Sequence, residues 1–251
     1  VLLTLLVFVV SGVAAGAAAT TPACFGREPT ITGSDGPETL TGTAGDDVIY
    51  ALDGDDTIYG LGGNDMVCAG SGNDMIYGGE GSDTIYANAG ADYLYGEGGS
   101  DMLYGGAGND RFYGGAGDDV FVGGTGIDFA DYSGAGAVTV NLFTGTASGD
   151  GADTLTSFEN LIGSAFADTL IGGPVDNKIW GGGGSDSISG GGGNDTLYGQ
   201  EGDDSLYGNG GDDTLWGGFG NDLLNGGLGT DVLDGNGGTN VCLAGEVLNN
   251  C

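Results

Sequence analysis

Aspartate recurs every nine residues through most of this 251-residue chain. Units of nine run from Gly33 to Asp131 and again from Gly163 to Leu243. The sixth position is Asp in 17 of the 20 units, and the fourth is Gly in 18. If the units stack, their carboxylates lie above one another, and like charges in register repel. The pattern therefore indicates that cations bind between the turns.

The chemistry of the donors indicates which cation. Carboxylates and turn carbonyls are hard oxygen ligands, and the chain contains no His at all. Such donors favour Ca²⁺ over transition metals. Mg²⁺ fits less well, because it demands a small octahedral cage and keeps its waters. Acidic residues at the fifth position are expected to face solvent and to add to the negative field; they are Asp46, Asp55, Asp118, Asp203 and Asp212.

The elements that position these aspartates follow from the other positions of the unit. The eighth residue is apolar in all 20 units when Ala130 and Cys242 are counted, with variable residues on either side. This alternation predicts a three-residue strand with one buried side chain, joined to the next by a six-residue Gly-rich turn. Such a strand is stable only when stacked on its copies. Two units, 18 residues, would form one coil of a two-sheet solenoid.

The units GGEGSDTIY (78–86), GGAGNDRFY (105–113) and GGGGNDTLY (190–198) resemble the hemolysin-type, or RTX, calcium-binding repeat. The resemblance implies an all-β fold, a right-handed parallel β-roll. It also implies that each ion lies between turns two repeats apart, held by the sixth-position Asp and by turn carbonyls. The ligands carried over are Asp47, Asp56, Asp65, Asp74, Asp83, Asp92, Asp101, Asp110, Asp119, Asp128, Asp168, Asp186, Asp195, Asp204, Asp213, Asp222 and Asp231.

Several units depart from the repeat pattern. Ala87-Asn88-Ala89 replaces a Gly pair, and Asn177 supplies a neutral side chain where the pattern has Asp. Phe166 and Val175 replace a turn Gly. The calcium sites around 163–180 are therefore expected to be the poorest.

The repeats define the organisation of the chain. Residues 1–19 resemble a secretory signal peptide, with an apolar run and a small-residue cleavage site. We favour a signal peptide over a membrane anchor, since the apolar run is near 10 residues. The expected order is then an N-terminal segment (20–32), a first array of 11 repeats (33–131), an insert (132–162), a second array of nine repeats (163–243) and a C-terminal cap (244–251). The insert is expected to join the arrays within one solenoid.

The four cysteines are an even number in a chain expected to be exported, which favours disulfides. Their positions allow three pairings. Local pairing, Cys24 with Cys68 and Cys242 with Cys251, is the most economical. Free thiols or intermolecular bridges are the alternative.

Aromatic residues also follow the repeat, at the ninth position: Tyr50, Tyr59, Tyr77, Tyr86, Tyr95, Tyr104, Tyr113, Trp180, Tyr198, Tyr207 and Trp216. If the eighth side chain points inward, the ninth points outward. Repeats two apart share a sheet, so these rings should form ladders. We favour cross-strand packing over a flat face that binds carbohydrate or another cell-surface partner.

The composition limits the function. With three Lys and Arg and a net charge of −33, the chain cannot neutralise the phosphates of nucleic acid. Without His it has no Ser-His-Asp triad, and it contains neither the protease motif H-E-x-x-H nor the hydrolase motif G-x-S-x-G. Asp153 and Glu159 could imitate a glycosidase pair, but no pocket-forming domain surrounds them.

The expectation is thus a secreted, non-enzymatic protein that folds on binding several Ca²⁺ ions outside the cell, with a structural or adhesive role. The alternative is the accessory module of a secreted RTX enzyme or toxin whose catalytic part is absent from this sequence.

Overall fold

The computed structural model describes residues 26–244 and 247–251. In chain order its strands are β1 (Ile31–Thr32), β2 (Thr39–Thr41), β3 (Val48–Asp53), β4 (Thr57–Gly62), β5 (Met66–Ser71), β6 (Met75–Glu80), β7 (Thr84–Ala89), β8 (Tyr93–Gly98), β9 (Met102–Ala107), β10 (Arg111–Ala116), β11 (Val120–Thr125), β12 (Phe129–Asp131) and β13 (Thr139–Asn141). They continue as β14 (Thr146–Ser148), β15 (Ala152–Thr156), β16 (Asn160–Ile162), β17 (Thr169–Ile171), β18 (Lys178–Gly183), β19 (Ser187–Gly192), β20 (Thr196–Glu201), β21 (Ser205–Gly210), β22 (Thr214–Phe219), β23 (Leu223–Leu228), β24 (Val232–Asn236), β25 (Val241–Leu243) and β26 (Val247–Asn249).

The strands form two sheets, and successive strands of the arrays alternate between them. The first sheet has 14 strands in the order β1-β3-β5-β7-β9-β11-β15-β14-β13-β17-β19-β21-β23-β25. The second has 12, in the order β2-β4-β6-β8-β10-β12-β16-β18-β20-β22-β24-β26. Neighbours within the arrays are parallel and in register, as in the pairing of Ile58 with Ile76. The predicted all-β, two-sheet β-roll is confirmed.

The strands are longer than the sequence predicted. Outside the array ends and the insert, most contain six residues rather than three, from the seventh position of one unit to the third of the next. In β6 both Ile76 and Gly78 are buried. Each six-residue strand thus has two positions that face the core, the eighth of one unit and the first of the next. The predicted six-residue turn therefore shortens to the fourth, fifth and sixth positions. The predicted strand length was wrong because Gly at the first position gives no hydropathy signal, although its backbone continues the hydrogen bonding between neighbouring strands.

One large apolar side chain per strand forms the core. The eighth-position residues from Ile49 to Leu233 are almost all fully buried, including Ile85, Leu103 and Leu206. Beside each of them, the inward first position holds only Gly or Ala. The core is thus one narrow row per sheet, and hydrophobic burial per residue is small.

Backbone conformation explains the glycines of the turn. Gly79 at the second position has φ of 110°, and Gly81 at the fourth has φ of 130°. Both values lie in a region that L-residues rarely adopt. A Cβ atom on Gly81 would also lie 1.8 Å from the carbonyl oxygen of Gly63 in the preceding coil. Close stacking of the coils therefore requires Gly at the fourth position of turns with this backbone. Phe166 and Val175 occupy the fourth position without positive φ, and their side chains are exposed.

The insert contributes strands to both sheets. In the first sheet, β14 pairs antiparallel with both β13 and β15, while β15 continues from β11 and β13 leads on to β17, both in parallel. In the second sheet, β16 lies between β12 and β18. Both sheets therefore run from one array to the other through the insert.

The outward aromatic residues stack on one another along the second sheet. In the first array the ring centroids are 5.0, 4.6 and 4.4 Å apart and nearly parallel, for Tyr59, Tyr77, Tyr95 and Tyr113. In the second array the separations are 5.3 and 4.8 Å, for Trp180, Tyr198 and Trp216. Because neighbouring rings cover one another's faces, the arrangement favours cross-strand packing over a face for sugars.

The C-terminal pair of cysteines is joined as predicted: Cys242 and Cys251 form a disulfide, with Cα atoms 5.6 Å apart. Cys24, like the predicted signal peptide 1–19, lies outside the described residues, so the pairing of Cys24 with Cys68 stays a prediction. Among the residues that the structure describes, no helix is long and apolar enough to cross a membrane.

We expect replacement of one core residue to destabilise the roll strongly. Leu103→Ala removes a fully buried side chain and should lower the free energy of unfolding by about 2–5 kcal/mol. The matched control Leu228→Ala, at a side chain that is 78% exposed, should change it by no more than about 0.5 kcal/mol. Denaturant unfolding in saturating calcium measures both. Equal effects would contradict the assignment of the core.

Candidate metal centre

The repeat aspartates form one stack along each edge of the roll. One edge, where the chain passes from the 12-stranded to the 14-stranded sheet, carries Asp47, Asp65, Asp83, Asp101, Asp119, Asp168, Asp186, Asp204 and Asp222. The opposite edge carries Asp56, Asp74, Asp92, Asp110, Asp128, Asp195, Asp213 and Asp231. We call these the first and second edges. All 17 side chains are buried.

Hydrogen bonds fix the stacking of the carboxylates. The backbone N–H of Asp83 donates to Oδ1 of Asp101, one coil further on, at 2.8 Å. The N–H of Asp101 donates in turn to Oδ1 of Asp119 at 2.9 Å. The same bond recurs along both edges, as from Asp74 to Asp92. Each coil thus holds the aspartate of the next in a fixed orientation.

The second carboxylate oxygen has no hydrogen-bond partner in most of these turns. Among the described residues, Oδ2 is buried without a partner in Asp56, Asp65, Asp74, Asp83, Asp92, Asp101, Asp110, Asp119, Asp128, Asp186, Asp195, Asp204, Asp213, Asp222 and Asp231. Buried polar atoms without partners are rare, because each costs its full desolvation energy. Their repetition indicates that these oxygens bind something other than protein.

The space that Oδ2 faces lies beside the first position of the unit, which holds Gly in most turns and Ala at 51, 69 and 87. A Cβ atom on Gly96 would lie 2.3 Å from Oδ2 of Asp101 and 2.5 Å from the carbonyl oxygen of Gly114. Gly199 has the same surroundings, with Oδ2 of Asp204 at 2.3 Å and the carbonyl oxygen of Gly217 at 2.4 Å. In these two turns a carboxylate and a carbonyl of the next coil thus converge on the point where a Cβ atom would stand.

Two predicted ligands differ from the rest. Oδ2 of Asp47 accepts hydrogen bonds from the backbone N–H and the hydroxyl of Thr43. Oδ2 of Asp168 accepts the N–H of Ser164, whose hydroxyl donates to Oδ1. Thr43 and Ser164 each occupy the second position of the unit that contains the aspartate they contact. Hydrogen bonds within the turn therefore satisfy the oxygens that remain free elsewhere.

The backbone at the second position separates these two kinds of turn. In turns with a free Oδ2 it is left-handed, as at Gly79 and at Glu97, whose φ is 73°. Thr43 and Ser164 do not have positive φ, and their N–H groups point at the carboxylate instead. Asn177 behaves likewise: its Oδ1 accepts the N–H of Gly173 at 2.7 Å.

Burial and repulsion strongly perturb the free carboxylates. Burial, together with the carboxylates of Asp110 and Asp74 above and below, raises the pKa of Asp92 to about 7. Burial likewise raises the pKa of Asp101 to about 7. Burial also acts on Asp47, but hydrogen bonds from Thr43 and Thr30 outweigh it and hold its pKa below the ordinary value. A free ladder aspartate is thus hard to ionise until a cation accompanies it.

This arrangement suits a hard cation. Within the described part of the chain, no three acidic or sulfur side chains converge on one point. Each turn instead combines a carboxylate oxygen with backbone carbonyls, which are ligands that Ca²⁺ accepts in its large and flexible coordination shell.

The fifth-position side chains have a role that the sequence analysis missed. They are exposed, as predicted, but Oδ1 of Asp46 accepts the backbone N–H of Asn64 at 2.8 Å. Oδ1 of Asn64 accepts the N–H of Ser82 in the next coil. The predominance of Asp, Asn and Ser at this position was the available signal, since all three accept hydrogen bonds through short side chains.

Comparison with known families agrees with this geometry. The RTX calcium-binding nonapeptide repeat (4 copies) matches residues 32–67, 69–103, 95–130, 162–197, 189–224 and 207–242. No curated protein matches the chain. The matched segments cover well over half of the chain, contain every ladder aspartate and leave out most of the insert. The chain therefore belongs to the family of RTX calcium-binding nonapeptide repeat proteins.

Proposed function

We propose that this protein is secreted and folds outside the cell on binding several Ca²⁺ ions, and that the folded roll has a structural or adhesive role. The observation that carries the proposal is the row of buried Oδ2 atoms without protein partners along both edges. The family match supports calcium as the ion, and the apolar segment at 1–10 supports export.

Electrostatics explains why calcium would drive folding. The chain has a net charge of −33, and folding brings its aspartates together in two buried stacks. Repulsion and desolvation therefore oppose folding, and the narrow core compensates little. Ions bound between coils would neutralise the stacks, and their binding energy would become folding energy.

The proposed sites are not equivalent. We assign Ca²⁺ to the turns whose Oδ2 is free, and expect Asp47 and Asp168 to contribute least among the 17 predicted ligands. Their carboxylates already have hydrogen-bond partners within the turn.

A binding role for the roll itself is favoured over catalysis. The chain has no His, and the acidic side chains buried in the described residues are mostly ladder residues. The alternative remains a calcium-folded accessory module of a secreted RTX enzyme or toxin.

Calcium should control folding directly. In chelator at neutral pH the far-ultraviolet circular dichroism should lack the β-sheet signal, and added Ca²⁺ should restore it cooperatively. The midpoint is expected on the order of 10⁻⁴–10⁻³ M, as in extracellular calcium modules. Mg²⁺ at equal concentration is the control and should restore much less. A fully folded protein in chelator would falsify the proposal.

Acid should partly replace calcium. In the folded roll the pKa of Asp92 and Asp101 is about 7, against an ordinary 3.8. The roll therefore holds protons that the unfolded chain has lost, and this contribution to stability is fully present below pH 3.8 and lost as the pH rises through 7. In chelator, the β-sheet signal should increase as the pH falls from about 7.5 to about 4.5.

The double variant Asp92→Asn/Asp101→Asn is the control for this pH dependence. Its two side chains are neutral at every pH, so it should keep more β-sheet signal than the wild type in chelator at neutral pH. A signal that falls on acidification would contradict the assignment.

Replacing a free ladder carboxylate should weaken calcium binding more than replacing a satisfied side chain. Asp101→Ala removes an oxygen from the space beside Gly96 and should raise the calcium midpoint of folding by about two- to tenfold, since affinity follows ligand charge. Asn177→Ala should raise it by less, because Asn177 already hydrogen-bonds to Gly173 and Glu159. Equal shifts would show that hydrogen-bond satisfaction does not distinguish the turns.

A further inference from the structure

Two acidic residues of the insert take ladder positions, although both lie outside the nonapeptide pattern. On the second edge, Oε2 of Glu159 accepts the backbone N–H of Asp128 at 2.9 Å. On the first edge, Oδ1 of Asp153 accepts the N–H of Asp119 at 3.1 Å. The sequence separations are 31 and 34 residues instead of 18. The insert thus continues both stacks beyond the first array.

On the second edge this produces a space like those of the repeats. Oδ2 of Asp128 has no partner, and the residue is 1% exposed. A Cβ atom on Gly123 would lie 2.6 Å from that oxygen and 2.1 Å from the carbonyl oxygen of Ser157. Ser157 belongs to the insert, and its carbonyl takes the place that the carbonyls of Gly114 and Gly217 have beside Gly96 and Gly199.

Charge also requires compensation at this point. Asp128 is buried in the stack between Asp110, whose N–H donates to Oδ1 of Asp128, and Glu159, which accepts the N–H of Asp128. Two of these three acids belong to the repeats, and the third is supplied by the insert.

We propose that the insert completes the calcium site of Asp128 on the second edge, and that the carbonyl oxygen of Ser157 and the side chain of Glu159 are its further ligands. The site rests on the calcium-binding function proposed above, but extends it to residues outside the nonapeptide repeats. An ion there would connect the first array to the insert, and through β16 to the second array.

On the first edge, both oxygens of the insert's acid, Asp153, already accept hydrogen bonds, so this side chain is not expected to bind an ion. Oδ2 of Asp153 accepts the hydroxyl of Tyr132 at 3.0 Å, and both residues are buried. Beside Asp119, the Cβ position of Gly114 lies 2.7 and 3.1 Å from ring atoms of Phe121, so an aromatic ring occupies part of the space there. A tyrosine hydroxyl thus supplies Asp153 with the partner that a cation supplies elsewhere.

This asymmetry offers a matched pair of variants. Glu159→Gln and Asp153→Asn each remove one negative charge, and each leaves an oxygen to accept the ladder N–H. The bound Ca²⁺ per chain would be counted by equilibrium dialysis at saturating calcium, with circular dichroism confirming that each variant is folded. Glu159→Gln should bind one ion fewer than the wild type, and Asp153→Asn should bind the same number.

Gly123→Val is a second test, which leaves every charge in place. Its side chain is larger than the Ala that the first position holds at 51, 69 and 87, so it would fill the space between Asp128 and Ser157 and should also remove one ion. If either variant is folded and keeps the wild-type count, the site is wrong. If the two insert variants bind as many ions as the wild type while Asp101→Ala binds fewer, this site is overturned and the proposed function stands. If Asp101→Ala also changes nothing, the proposed function fails as well.

Discussion

The stacking of buried carboxylates is the constraint on which this structure depends. Each coil of 18 residues places an aspartate above that of the previous coil, and a backbone N–H fixes one of its oxygens. In 15 of the turns that the structure describes, the other oxygen remains buried without a partner. A fold that accumulates like charges in this way is electrostatically unfavourable by itself, and this is the physical ground for our proposal that bound cations stabilise it.

The rest of the unit makes this stacking possible. A small residue, Gly or Ala, at the first position leaves space beside the carboxylate, and Gly at the fourth lets coils approach closely. The second position decides whether a turn presents a free oxygen or satisfies it internally, as Thr43 and Ser164 do. The turns with internal hydrogen bonds lie near the start of each array. Each row of free carboxylates therefore begins after a turn whose carboxylate has its hydrogen-bond partners within the protein.

The insert preserves the two stacks while interrupting the repeat. It adds β13, β14 and β15 to one sheet and β16 to the other. It also adds bulk where the core is otherwise narrow, since Phe158 packs against Phe112 at 4.9 Å and Phe121 at 6.3 Å. Apolar contacts at the centre of the roll therefore supplement the electrostatic ones.

The sequence alone determined the all-β roll, the nine-residue unit and the aspartates that stack, because identical units must place identical residues at equivalent points. It also indicated the Cys242–Cys251 disulfide, which closes a short local loop. It did not determine strand length, since the inward-facing Gly78 carries no hydropathy. Only the tertiary structure separated Asp47 and Asp168 from the other aspartates, and brought Asp153 and Glu159 into the stacks. Those distinctions depend on peptide orientation and on contacts between distant residues, and neither is encoded in the spacing of residue types.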